Sequence, residues 1–156
     1  MHNVYQTNRT FCQGYKANLL EIFSNEIHPE EFTPAKGIDP QKFYLAFKIR
    51  LLRLVQKEVD RLKEQLQSDT NSHLILLKYS SLVDTAIQIS FQTAIWFYNK
   101  QHGQSLQESS APIVLIARGG YGREELYFRS DIDVQIFSKP PDPVLPAECI
   151  AQILKY

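Results

Sequence analysis

The chain has 156 residues, 44% of them hydrophobic and 22% charged, a composition that fits a globular domain with a modest core and excludes a disordered or low-complexity segment. Seventeen Lys and Arg balance seventeen Asp and Glu, so no global positive field gathers nucleic acid and any site for a polyanion must be local. Cys12 and Cys149 belong to no CxxC or Cys/His spacing, and no signal-like start or run of about 20 apolar residues is present, so the reading is a cytoplasmic chain without zinc, disulfides or a membrane partner.

From about Phe11 to Ile27, Leu19, Leu20, Ile22, Phe23 and Ile27 fall at helical spacing and predict a short first helix. Pro29, Pro34 and Gly37 interrupt it. Asp39 followed by Pro40 then supplies a cap with proline at the first helical position. Beyond it Phe43, Phe47, Leu51, Leu54, Val55, Leu62 and Leu66 predict an amphipathic helix reaching Gln67. Its Lys and Arg residues alternate with Glu58, Asp60 and Glu64, the pattern of a solvated helix face. A polar break from Ser68 to Ser72 precedes a second long helix over Leu74 to Tyr98, closed by His102 and Gly103, and the two long helices are expected to pack antiparallel. Phe91, Trp96, Phe97 and Tyr98 are assigned to the core, since no basic groove accompanies them.

Gln104 to Pro112 reads as a polar linker. The branched run Ile113 to Ala117 predicts a buried strand, and Asp131 to Phe137 alternates as a half-buried strand does. The prolines from Pro140 to Pro146 end that strand, and Ala147 to Tyr156 begins another helix. The organisation is thus a helical region over 1–103, a linker over 104–112 and a partial catalytic domain over 113–156, in an α+β fold.

Chemistry concentrates between Arg118 and Asp133. Gly119 and Gly120 follow a strand directly, where missing side chains let backbone N–H groups approach a phosphate. Arg123 lies about one turn further on and can add a planar charged fork to the same phosphates. Asp131 and Asp133 flank one apolar residue, so on a strand both carboxylates share a face, roughly 6–7 Å apart and able to converge on Mg²⁺. In that register Ile132 and Val134 point into the core.

The run Gly-Gly-Tyr-Gly-Arg from Gly119, then Glu125-Leu126, then Ser130-Asp-Ile-Asp133 resembles the signature of the DNA polymerase beta-type nucleotidyltransferase superfamily. Within it the loop tyrosine and arginine and the Ser-Asp-Ile-Asp ending look like the bacterial uridylyltransferase that modifies the PII nitrogen-regulatory protein. The resemblance implies a nucleotidyltransferase-type mixed sheet and a nucleoside triphosphate, UTP, bound by Gly119, Gly120, Arg123 and Ser130. It implies two Mg²⁺ ions on the catalytic pair Asp131 and Asp133. The reaction it implies is transfer of UMP to a tyrosine of a PII-type protein with release of pyrophosphate. Arg118 stands where such families commonly place a small or apolar residue, Glu124 adds a negative charge beside the implied triphosphate site, and Phe128 replaces a residue that is often proline. The superfamily also uses a third carboxylate on a later strand, and neither Asp142, among prolines, nor Glu148, near a helix start, is placed to supply it. The expectation is an amino-terminal piece of such an enzyme, its sheet incomplete and its own activity feeble or absent. Two alternatives remain open: a non-catalytic interaction or regulatory module, and a nucleotidyltransferase of other base and acceptor.

Overall fold

The computed structural model describes residues 2–32, 39–68 and 71–138. Three long helices dominate it: α1 (His2–Glu26), α2 (Pro40–Ser68) and α3 (Ser72–His102). A single helical turn, α4 (Gly119–Gly122), a two-stranded sheet of β1 (Ile113–Ala117) and β2 (Val134–Ser138), and two short 3-10 turns at Pro29–Phe32 and Glu108–Ser110 complete the described elements. The protein is therefore mostly helical with a small antiparallel sheet. Pro34 and Gly37, the Pro140–Pro146 break and the helix expected from Ala147 lie outside the described residues.

The helix ends follow their capping chemistry. Asp39 Oδ1 accepts from the backbone N–H groups of Gln41 and Lys42 at 3.0 and 3.4 Å, with Pro40 in the first turn. Asn71 Oδ1 accepts from Leu74 N at 3.1 Å, and α3 stops at Gly103, whose φ of 63° places it in the left-handed region that glycine adopts without strain. The first helix is longer than its apolar stripe. It starts at His2 rather than near Phe11, because the polar stretch before Phe11 contains no proline or glycine to break it.

Packing pairs confirm that α2 and α3 run antiparallel: Phe43 stacks on Phe97 with ring centroids 4.5 Å apart, while Gln65 receives a hydrogen bond from Lys78. α1 covers the other side of α3. It sets Lys16 against Asp84 and Phe11 under the Lys78 ammonium, and a second ion pair, Glu26 with Arg50, joins it to α2. Phe43, Phe47, Leu62, Ile75, Leu82 and Phe97 are fully buried, each such side chain stabilising by about 1.5–3 kcal/mol. The central helix α3 is buried on nearly every side. It tolerates this because Thr85 and Ser90 return their hydroxyls to the carbonyls of Ser81 and Ala86 at 2.8 and 2.7 Å. By length and composition alone α3 is also a helix that could cross a bilayer, but 56% of its apolar window is buried inside the protein.

The linker is tied down: Asn99 exchanges two hydrogen bonds with the backbone of Leu106, at 2.8 and 2.9 Å. Ile113, Tyr121 and Leu126 join the same core as the helices. In the sheet, Ile113 pairs with Ser138, Leu115 with Ile136 and Ala117 with Val134. Leu115, Val134 and Ile136 pack toward the helices. Val114, Ile116 and Phe137 face away and are 58%, 44% and 46% exposed. The strand expected to be buried is thus covered on one face. A continuous apolar run normally signals cover on both, and here only the helix side has it among the described residues.

Candidate functional site

The glycine turn grows directly out of the sheet. Arg118 N donates to Asp133 O at 2.9 Å, adding one more rung to the β1–β2 ladder. Gly119 then turns the chain at a φ of 57°, and Gly122 N closes the turn onto Arg118 O at 2.8 Å. Two glycines here are required by space. A Cβ on Gly119 would lie 2.7 Å from Asp133 Oδ2, and one on Gly122 would lie 2.7 Å from Ala117 O. The structure therefore brings the first glycine and the second carboxylate into direct contact. In the first turn of a helical segment the leading N–H groups have no intrahelical acceptor, and those of Gly119 to Tyr121 occupy that position.

The other expected site residues take different places. Asp131 and Asp133 are both exposed, but β2 begins at Val134, so the pair precedes the strand instead of lying within it. Ile132 is 46% exposed and does not anchor the register. Val134 and Ile136 perform that task. The cause is the partner strand: after Arg118 the chain leaves for the glycine turn, and β1 offers no backbone to pair with Asp131 or Ile132. Arg123 carries its guanidinium against Glu125 Oε2 at 2.8 Å, an exposed ion pair within the loop. Ser130 Oγ accepts from Tyr127 N at 3.2 Å while Ser130 N donates to Tyr127 O at 2.9 Å, so its observed role is to close a turn.

Tyr121 fastens this loop to the helices. Its ring is 6% exposed, and its hydroxyl donates to Asp84 Oδ1 at 2.6 Å. Asp84 Oδ2 in turn accepts from Lys16 Nζ at 2.9 Å. Burial, and then the hydrogen bond to the Asp84 carboxylate, hold the Tyr121 phenol well above its ordinary range. Leu126, fully buried, and Phe128, 4.7 Å from the Tyr79 ring, pin the following segment on the same helix. Sequence reading missed Asp84 and Lys16. The available signal was that Asp84 is the lone charged side chain between Lys78 and Lys100, in a helix buried nearly all round.

A cleft of about 410 Å³ opens between α3 and the inner face of the sheet, lined among others by Lys16, Asp84, Gln88, Phe91 and Glu108. It lies on the helix side of Tyr121, and neither glycine 119 or 120 nor Asp131 or Asp133 lines it. The contact between Gly119 and Asp133 is the better candidate for the site, since it joins two of the residues that the sequence singled out. Among the described residues no group of three or more His, Cys, Asp and Glu converges as a metal cage. Asp131 and Asp133 are both exposed and Asp133 lies against Gly119; carboxylates of this kind are ligands of the type Mg²⁺ takes, one or two at a time, with water and phosphate oxygens completing its shell. Comparisons with protein-family models, curated proteins and solved structures find no match to this chain.

Proposed function

We propose that the segment from Arg118 to Asp133 is the nucleotide half-site of a cytoplasmic nucleotidyltransferase, one that transfers UMP from UTP to a tyrosine on a PII-type regulatory protein. The observation that carries this reading is the fit of the Asp133 carboxylate against Gly119, at a backbone conformation only glycine adopts freely. A carboxylate set directly against a glycine turn that follows a strand suits a bound metal–triphosphate.

In this reading the N–H groups of the turn hold triphosphate oxygens, and Arg123 adds charge when it exchanges Glu125 for phosphate. Asp131 and Asp133 would hold Mg²⁺, which would supply charge neutralisation on the phosphates and a lowered pKa for the acceptor hydroxyl. The acceptor tyrosine oxygen forms a bond to the α-phosphorus as the bond from that phosphorus to the β-bridging oxygen breaks. The electron pair leaves with pyrophosphate, and the phenolic proton passes to water. A second reading, a non-catalytic module, draws on the Arg123–Glu125 pair, which occupies the loop's own cation.

Titration calorimetry of UTP and of ATP, each with Mg²⁺, into this chain and into the Asp131→Asn, Asp133→Asn double variant separates the readings. Binding that prefers UTP and disappears in the variant supports the transferase. Binding that survives neutralisation of both carboxylates, or no binding by the parent chain, overturns it.

A further inference from the structure

We infer that Asp84 on α3 is a positioning residue for the nucleotide turn: it holds Tyr121, and through Tyr121 it sets the distance between Gly119 and the Asp133 carboxylate. The inference rests on the nucleotide reading of that turn for its functional consequence, but its structural basis stands independently.

Three observations converge on Asp84. Its two oxygens are divided between two elements, Oδ1 accepting from Tyr121 at 2.6 Å and Oδ2 from Lys16 at 2.9 Å. The first of these partners sits inside the glycine turn, two residues after Gly119, and its ring is the only buried side chain of α4. The second lies on α1, so the carboxylate cannot follow the turn without leaving its counterion. Opposite the buried ring, the same turn presents Gly119 to Asp133 with no room for a methyl group. A turn of four residues with three glycines has little rigidity of its own. Its geometry has to be imposed from outside, and the Tyr121 hydroxyl bond to a fixed carboxylate is the directional contact that imposes it.

Charge explains why an aspartate occupies this place. A carboxylate accepts from a phenol and an ammonium at once, with a stronger bond to each than a neutral acceptor would make. Lys16 holds the carboxylate in its orientation through the 2.9 Å ion pair, and α3, packed between α1 and α2, gives it a mount. The helices thus serve as the template for the loop.

The test compares the whole chain with Tyr121→Phe, Asp84→Asn and Asp84→Ala. Each is measured by calorimetry with UTP and Mg²⁺, by pulsed amide exchange across the turn and by thermal unfolding. Tyr121→Phe removes one oxygen and leaves the ring. Its expected result is about tenfold weaker nucleotide binding, the usual consequence of losing a hydrogen bond to a charged group, with faster exchange at Gly122 to Glu125 and unchanged exchange in α1 to α3. Asp84→Asn leaves one uncharged acceptor oxygen for two donors and gives an intermediate loss of affinity, whereas Asp84→Ala behaves like Tyr121→Phe. Exchange in the turn identical to the parent overturns the inference, as does acceleration spread evenly over all helices, which marks a purely structural contact. If the parent binds no nucleotide, the transferase reading fails, and the exchange pattern alone still decides whether Asp84 positions the turn. If Tyr121→Phe does not fold, the graded pair at Asp84 gives the same comparison.

Discussion

Replacing Gly119 by alanine separates the site from the scaffold. Two penalties arise. The φ of 57° costs an L-residue about 1–2 kcal/mol, and the new methyl group meets Asp133 Oδ2 at 2.7 Å. The second contact is with the far end of a rotatable side chain, so the carboxylate turns aside at little cost in stability but leaves its place beside the turn. The expected result is a fall in melting temperature of roughly 2–8 °C for a chain of this size, together with loss of Mg²⁺-dependent UTP binding. Gly122→Ala is the control. Its methyl group meets Ala117 O at 2.7 Å and Ala117 C at 3.1 Å, both backbone atoms of β1 that cannot rotate away. That overpacking costs about 1–3 kcal/mol or more, so Gly122→Ala loses more stability than Gly119→Ala. Denaturant unfolding of Gly119→Ala, Asp133→Ala and their double variant measures the steric part. With the carboxylate removed, only the backbone penalty at residue 119 remains, so the effects on stability add to within about 0.5 kcal/mol. Parent-like UTP affinity in Gly119→Ala, or a stability coupling well above that, refutes this account of the contact.

Three further outcomes follow from the same structure. Tyr15 and Tyr121 both have phenols held above their ordinary range, chiefly by burial and then by the carboxylates of Glu58 and Asp84. Because the folded value is raised, their stabilisation is complete below the unfolded value of 10.0 and is lost as pH rises above it. Urea midpoints should therefore fall between pH 10 and 11.5, with a shallower fall in Tyr121→Phe. Phe43→Ala, which removes a fully buried ring stacked on Phe97, should cost about 3–5 kcal/mol in equilibrium unfolding, while Leu45→Ala, 59% exposed on the same helix, should stay within about 0.5 kcal/mol of the parent. Glu125→Gln breaks an exposed ion pair of little stabilising worth and frees the Arg123 guanidinium. Stability should hold while UTP affinity rises about two- to fivefold; weaker binding would show that Arg123 does not reach the phosphates.

What the sequence made legible was local. The cap at Asp39 and Pro40, the stop at Gly103 and the bounds of the strand Ile113–Ala117 each depend on residues within a few positions of one another, and the structure places all three as read, though the strand is covered on one face only. The register at Asp131 was not local. Alternation put Asp131 and Ile132 on a strand, yet a strand needs a neighbour, and the neighbour ends where Arg118 gives way to the glycine turn. The short first helix was misjudged for a related reason, since periodicity marks the face a helix buries and says little about how far it runs.

The link between loop and helices lay furthest from view. Tyr121 and Asp84 are 37 residues apart, and Lys16 and Asp84 are 68 apart, so no window of periodicity contains the pair. A lone charge in a helix otherwise packed into the core was nonetheless a readable anomaly, and its 41% exposed carboxylate is shared between two partners. Those partners turned out to be the loop tyrosine and an ammonium on another helix. The same fact changes the meaning of the glycine-rich run. Taken alone, its glycines supply freedom, and freedom by itself binds nothing well, since ordering a loose turn consumes affinity. With Tyr121 seated on Asp84 and Leu126 in the core, the turn is held at both ends, and its glycines supply close approach. The site's geometry therefore depends on α1 and α3 as much as on the sixteen residues whose chemistry first drew notice.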